Sequence, residues 1–209
     1  MAAGSVRYWA AAVAAGRVLV DTAECRLPLR HSHHRIDIEG ANGRQTLTIP
    51  LVAATHTMST PASEIRISEH GSWRRLHWGA LFSAYGRTPY FDYVADDLRD
   101  IIESSETSLL TLDRRLMELV VDFMDLPVTL EWREVTVDEL PAGSLDLRRS
   151  LGGKRADGLP IVEVPYYQVW APRHGFMANL SVLDLMMNTG REGIDTLLRC
   201  TDKDIPDCF

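Results

Sequence analysis

Arg35-Ile-Asp-Ile-Glu39 and Gln45-Thr-Leu-Thr-Ile49, joined by Gly40-Ala-Asn-Gly-Arg44, form the stretch whose reading decides the fold. Both flanks alternate apolar and polar residues with period two, the pattern of half-buried strands. Asn42-Gly43 between them is a favoured pair for a type I′ turn, because both residues tolerate positive φ. With those two as the loop, Ile38 faces Leu47 and Ile36 faces Ile49, while Asp37 meets Thr48 on the other face. His34 falls on the apolar face with Ile36, and Arg35 on the polar face with Asp37.

Working outward, the pattern changes to helices. Val6 to Gly16 reads as a helix stopped by Gly16, and Val18 to Val20 as a short strand ending at Asp21. The alanine-rich run from Trp9 to Gly16 imitates a signal peptide, but Arg17 and Asp21 interrupt it too early. After the hairpin, Ile65 to Ser68 suggests a further strand. Ser72 then caps a helix over Trp73 to Tyr85, ended by Gly86 and Pro89. Helical periodicity puts Trp73, Leu76, His77, Ala80, Leu81 and Ala84 on its inner face, with Trp78 and Tyr85 at the border. A helix after Asp92 turns Ala95, Leu98, Ile101 and Ile102 inward. Another over Thr107 to Met124 carries the stripe Leu109, Leu112, Leu116, Leu119, Val120 and Phe123. Val128 to Trp132 is strand-like, and Ser181-Val-Leu-Asp184 opens a final helix as a capping-box-like start. This order is α+β, or irregular α/β: one domain over 1–209, an N-terminal hairpin-containing sheet packed by three or more helices. Linker-like composition over 140–165 predicts a mobile internal segment.

The 209 residues, 24% of them charged and with a formal net charge of -7, describe a globular chain with no long-range attraction for nucleic acid or anionic membrane. No apolar run approaches the roughly 20 residues of a transmembrane helix. Cys25, Cys200 and Cys208 form no CxxC pair, which favours a reducing, cytoplasmic compartment. A Cys200–Cys208 bridge is open at this level. GxGxxG and GxSxG are absent, and Gly152-Gly153-Lys154 lacks the upstream glycine of a phosphate loop. No cofactor is indicated. His31, His33 and His34 crowd near Cys25, but alternation separates His33 from His34, and no metal is expected.

His77 lies inside the apolar stripe of its helix. The residue pattern leaves it open as a core histidine or as a partly desolvated proton-transfer group. Trp78, Tyr85, Tyr90, Phe91 and Tyr93 provide aromatic surface of the kind that fills cores or stacks on sugar rings. Arg35 has the fork that clamps carboxylate or phosphate, although strand arginines commonly face solvent. Asp184 reads as a helix-start residue rather than a catalyst.

Trp73-Arg-Arg-Leu-His77-Trp78, with Ala84-Tyr85, Thr88-Pro89-Tyr90-Phe91 and Tyr93, resembles the central signature of the WbqC-like protein family. Pro165-Tyr-Tyr-Gln168-Val-Trp170, His174-Gly-Phe176, Asn179-Leu-Ser-Val-Leu-Asp184-Leu185 and Asn188-Thr-Gly190 resemble its C-terminal signature, in the form common in Bacteroidetes. Arg35-Ile36 and Leu47-Thr-Ile-Pro50 are similar to its paired strands. The N-terminal half diverges: the usual opening strand and proline turn are absent, and His34 stands where the family has asparagine.

Members occur among bacterial O-antigen and surface-polysaccharide genes. The resemblance therefore implies a cytoplasmic enzyme of lipopolysaccharide-precursor modification, acting by acyl or aminoacyl (glycine-type) transfer to an amino sugar. Its partners would be a nucleotide-linked or lipid-linked amino sugar and an acyl or aminoacyl donor. By residue type, His77 is the expected base and Arg35 the holder of an anionic group. Trp78, Tyr85 and Tyr90 would hold the sugar, while Gln168 and Asn179 position polar groups. The alternative is a non-catalytic carbohydrate-pathway binding or scaffold protein.

Overall fold

A computed structural model describes residues 2–25, 34–55, 57, 59–136, 140, 144 and 161–201. The fold is α+β. In chain order, α1 (Val6–Ala15) leads into β1 (Arg17–Asp21), followed by β2 (Arg35–Gly40) and β3 (Gly43–Thr48). Three helices come next: α2 (Trp73–Tyr85), α3 (Phe91–Ile102) and α4 (Leu109–Met124). The chain then forms β4 (Thr129–Arg133), the short α5 (Ala171–His174), α6 (Val182–Thr189) and α7 (Gly193–Cys200). Most of the 140–165 segment lies outside the described residues, as do His31, His33 and Cys208.

The strands make two separate pairs. β1 and β4 run parallel from Arg17 opposite Thr129 to Asp21 opposite Arg133. A parallel pair needs a crossover, and here it contains the hairpin and three helices. At its start, Arg17 forks onto the Glu131 carboxylate at 2.8 and 3.0 Å. β2 and β3 form the antiparallel hairpin.

The hairpin forms over the expected residues, but its register is two residues away from the expected one. Ile36 faces Leu47, Ile38 faces Gln45, Asp37 faces Thr46, and Gly40 faces Gly43. The turn residues are thus Ala41 and Asn42. Gly43 has φ +94, whereas Asn42 is absent from the positive-φ residues, so the type I′ requirement is unmet. Glycine's tolerance of positive φ is used one position later than expected. A shift of two preserves the faces: Ile36, Ile38, Leu47 and Ile49 are all buried.

Gly16 ends α1 in the left-handed region, and its N–H donates to the Ala12 carbonyl at 2.9 Å. Trp9 anchors the helix in the core, donating from Nε1 to the Ala3 carbonyl at 2.7 Å. α2 has the expected span but a rotated inner face. Trp73, His77, Leu81, Ala84 and Tyr85 are buried, while Leu76 is 65% exposed. Packing against β2, α3 and α6 selects this face over the one centred by periodicity. Ser72 makes no capping bond; its ψ of 38° departs from the extended geometry that aims a cap hydroxyl at the helix.

Ile65 to Ser68 is not a strand. Arg66 bridges Ser108 and Ile67 bridges Leu51, so neighbouring residues pair with different segments and no ladder propagates. α4 buries Leu109, Leu112, Leu116 and Val120 as expected, with Met117 and Met124 beside them. It also buries Asp113.

Candidate functional site

The start of α6 builds the most polar part of the interior. Ser181 is the cap and its Oγ accepts from the Leu183 N–H at 3.3 Å. In a capping box, the carboxylate three residues on would bond the cap's own N–H. Here that N–H donates instead to the Asp37 carbonyl of β2 at 2.8 Å. The Asp184 side chain is therefore released inward. Its Oδ2 accepts from the Tyr166 hydroxyl at 2.6 Å and from Gln168 Nε2 at 3.0 Å.

Gln168 is held as firmly as the group it contacts. Its Oε1 accepts from the Met177 N–H at 2.8 Å, and its Nε2 donates to the Met177 carbonyl at 2.9 Å. This side-chain amide therefore mimics a backbone pairing and closes the loop through α5. Asn188 fixes the other side, accepting from the Val169 N–H and donating to the Asp184 carbonyl.

Glu39, the penultimate residue of β2, completes the group. It is fully buried, and its N–H donates to the Tyr85 hydroxyl at 3.1 Å. Neither of its carboxyl oxygens has a donor among the described residues, and Asp184 Oδ1 lacks one too. Arg44 stands opposite Glu39 in the hairpin. Its guanidinium is anchored by the Ala178 carbonyl at 2.6 Å and Asp37 at 3.4 Å.

Burial pushes the Glu39 pKa up to about 7; the Asp184 charge adds to the rise and Arg44 opposes it. Burial also raises Asp184, and donors from Tyr166, Gln168 and Tyr85, together with Arg44, offset only part of that rise. The two acids thus have different environments. Asp184 is surrounded by hydrogen-bond donors, while Glu39 has none on its carboxyl among the described residues and is the group whose proton is exchangeable near neutrality. Burial and the Asp184 charge hold both Tyr85 and Tyr166 protonated, as hydroxyl donors.

Of the expected site residues, Tyr85 and Gln168 belong to this cluster. Asn179 borders it in a left-handed conformation, φ +52, and its Oδ1 accepts from the Arg7 N–H at the start of α1. His77 and Arg35 lie at the open end of the hairpin. The Thr48 backbone touches His77, and Thr48 is the residue paired with Arg35. The His77 ring packs edge-on to Trp73, its Nδ1 has no partner among the described residues, and burial lowers its pKa to about 4. Arg35 Nε is likewise buried without a partner there. Trp78 stacks on Phe91, with the Arg99 guanidinium 5.7 Å from its ring centre. Tyr90 fills the space over Gly190, where a Cβ would meet its ring at 2.5 Å. Trp78 and Tyr90 therefore both pack against other parts of the fold.

Glu39, Arg44, Tyr166 and Asp184 were not singled out by residue type. Alternation assigns Glu39 to a polar face, and only the packing of α6 shows that face to be covered. Tyr166 and Asp184 flank Gln168 within one signature, which was their available signal. Among the described residues no three His, Cys, Asp or Glu gather as a metal ion needs. Cys25 and Cys200 are both free.

The site is a buried acid pair in an α+β scaffold, closed by hydroxyl and amide donors from two parts of the chain, the end of α2 and the 166–168 segment. The chain belongs to the WbqC-like protein family, whose sequence profile matches residues 12–154. That span holds Glu39 and Tyr85 and ends before Tyr166, Gln168 and Asp184. The chain is also similar to the uncharacterized protein Rv1507c of Mycobacterium tuberculosis (strain ATCC 25618 / H37Rv), at 26% identity over 198 residues, covering 82% of this chain and 83% of that one. No solved structure matches it.

Proposed function

We propose that this protein is a transferase of surface-polysaccharide precursor modification, moving an acyl or aminoacyl group onto the amine of an amino sugar. The observation that carries the reading is the buried Glu39–Asp184 pair with its ring of Tyr85, Tyr166 and Gln168. An amine attacks an acyl carbon only as the free base, so the site must accept a proton near neutral pH. Glu39 has the matching pKa, and Asp184 lies beside it, held by the Tyr166 hydroxyl and the Gln168 amide. In the step, the amine nitrogen bonds the acyl carbon and the bond to the donor's leaving group breaks. The amine's proton passes to Glu39 and then to that leaving group. The free cysteines, and the lack of a helix long and apolar enough to cross a membrane among the described residues, support a cytoplasmic setting.

The test is incubation with nucleotide-linked amino sugars and a panel of acyl thioesters and aminoacyl donors, read by mass spectrometry. Acylated sugar should form with the wild type and fall at least about 100-fold in Glu39→Gln. His77 is the competing base. Loss of turnover in His77→Gln with retention in Glu39→Gln would move the base to the hairpin's open end. A second reading is a non-catalytic carbohydrate-pathway binding protein, favoured by the complete burial of Glu39 and Tyr85. It predicts sugar binding with no mass change under any donor.

A further inference from the structure

Buried polar atoms are almost always hydrogen-bonded, so a group of orphans in one place calls for a chemical explanation. Glu39 Oε1, Glu39 Oε2 and Asp184 Oδ1 are three such oxygens, all acceptors when ionised, on two side chains that are 0% and 1% exposed. The N–H of Ser181, three residues before Asp184, donates to the carbonyl of Asp37, two residues before Glu39, at 2.8 Å, and the charge of Asp184 acts on Glu39. Of the three side chains that donate to Asp184, Tyr166 and Gln168 are directed to Oδ2 and Tyr85 is the third, and these three oxygens still have no partner among the described residues. Arg44, the cation that acts on both acids, does not satisfy them either, since it spends its guanidinium on Asp37 and the Ala178 carbonyl. What is wanting is a compact cation with several N–H donors.

We propose that Glu39 and Asp184 form a binding site for a primary ammonium group, whose three N–H donors match the three acceptor oxygens. A guanidinium is too broad and planar to converge on three oxygens of two buried carboxyls, whereas an ammonium presents its donors from one atom. The Tyr85 hydroxyl, tied to the Glu39 N–H, and the Tyr166 hydroxyl fix the two acids around it. The site itself stands on these oxygens. Naming its natural ligand as the amine of an amino sugar rests on the transferase reading above. The charged groups acting on Glu39 are Asp184 and Arg44, so ammonium affinity should rise with pH as Glu39 ionises.

The experiment is an NMR titration of the full chain, following the Glu39 and Tyr85 amides, with methylammonium, tetramethylammonium, D-glucosamine and D-glucose. Methylammonium and glucosamine should shift these signals saturably, while tetramethylammonium, with its charge but no N–H, and glucose, with no amine, should not. Glu39→Gln and Asp184→Asn should each weaken methylammonium at least tenfold. The wild-type comparison decides the matter even if a variant fails to fold. Equal response to tetramethylammonium, or no response to methylammonium, overturns the site. Saturable methylammonium binding without glucosamine binding upholds the ammonium site and removes the amino sugar as its ligand.

Discussion

Asp184 and Asp113 are both buried aspartates on helices, yet their surroundings are opposite. Asp184 accepts from Tyr166 and Gln168, lies near Arg44, and acts by its charge on a second carboxyl, Glu39. Asp113 sits within the apolar stripe of α4 with Oδ1 unpartnered, and burial pushes its pKa up to about 8. Its neighbour Tyr8 is raised in turn by burial and by the Asp113 charge. Burial is common to both, so it does not mark a site. Converging donors do, because they stabilise one charge state at one place.

The largest expected effect separates the two acids by function. Asp184→Asn should cut amine transfer at least about 100-fold, while Asp113→Asn should leave turnover within a few-fold. Equal losses would break the comparison. Asp184→Ala also strands the Tyr166 hydroxyl and Gln168 amide, costing about 3 kcal/mol or more in urea unfolding.

Next in size is the alkaline cost of Asp113. Its folded pKa lies above its unfolded value near 4, so its contribution is intact below about pH 4 and is lost as pH rises through 8. Asp113→Asn should therefore be more stable than the wild type at pH 8 by a few kcal/mol, and nearly equal to it at pH 4. Glu39 costs stability in the same direction between about pH 4.5 and 7, so the Asp113 variant retains that part of the wild-type slope. Identical slopes for variant and wild type would show that Asp113 ionises without penalty.

His77 supplies a control of opposite sign. It is buried neutral with a pKa of about 4, so its contribution is present above 6.5 and is lost as pH falls through 4. His77→Gln should flatten that acid limb by up to about 3 kcal/mol, measured by urea midpoints from pH 7 to 4. A smaller effect belongs to Arg44→Gln, which removes an opposing cation and should raise the Glu39 pKa by less than about one unit. A carboxyl-carbon NMR titration reads it directly, and a fall would reverse the assigned role of Arg44.

The hairpin shows how far local pattern reaches. Alternation places Ile36, Ile38, Leu47 and Ile49 on one buried face, because that property survives a shift of two residues. The register itself rests on which residue takes positive φ, and Gly43 alone of the Asn-Gly pair does so. The helices are similar: the spans of α1 and α2 follow from periodicity and stop residues, but the exposure of Leu76 and burial of Tyr85 depend on which neighbours α2 meets. At the site, Gln168 and Tyr85 were visible by residue type and motif. Glu39 was hidden as the polar member of an alternating strand, and Asp184 as an ordinary helix-start acid.

By itself, then, the sequence determined the spans of α1 and α2, the apolar face of the hairpin, the family and two members of the cluster, since these depend on spacing along one segment. The chemistry of the cluster was decided only by tertiary structure. The Asp37 carbonyl occupies the Ser181 N–H and turns Asp184 inward, and α6 brings that acid beside Glu39. A carboxyl's charge state depends on its solvation and on donors from distant segments, and local spacing carries neither.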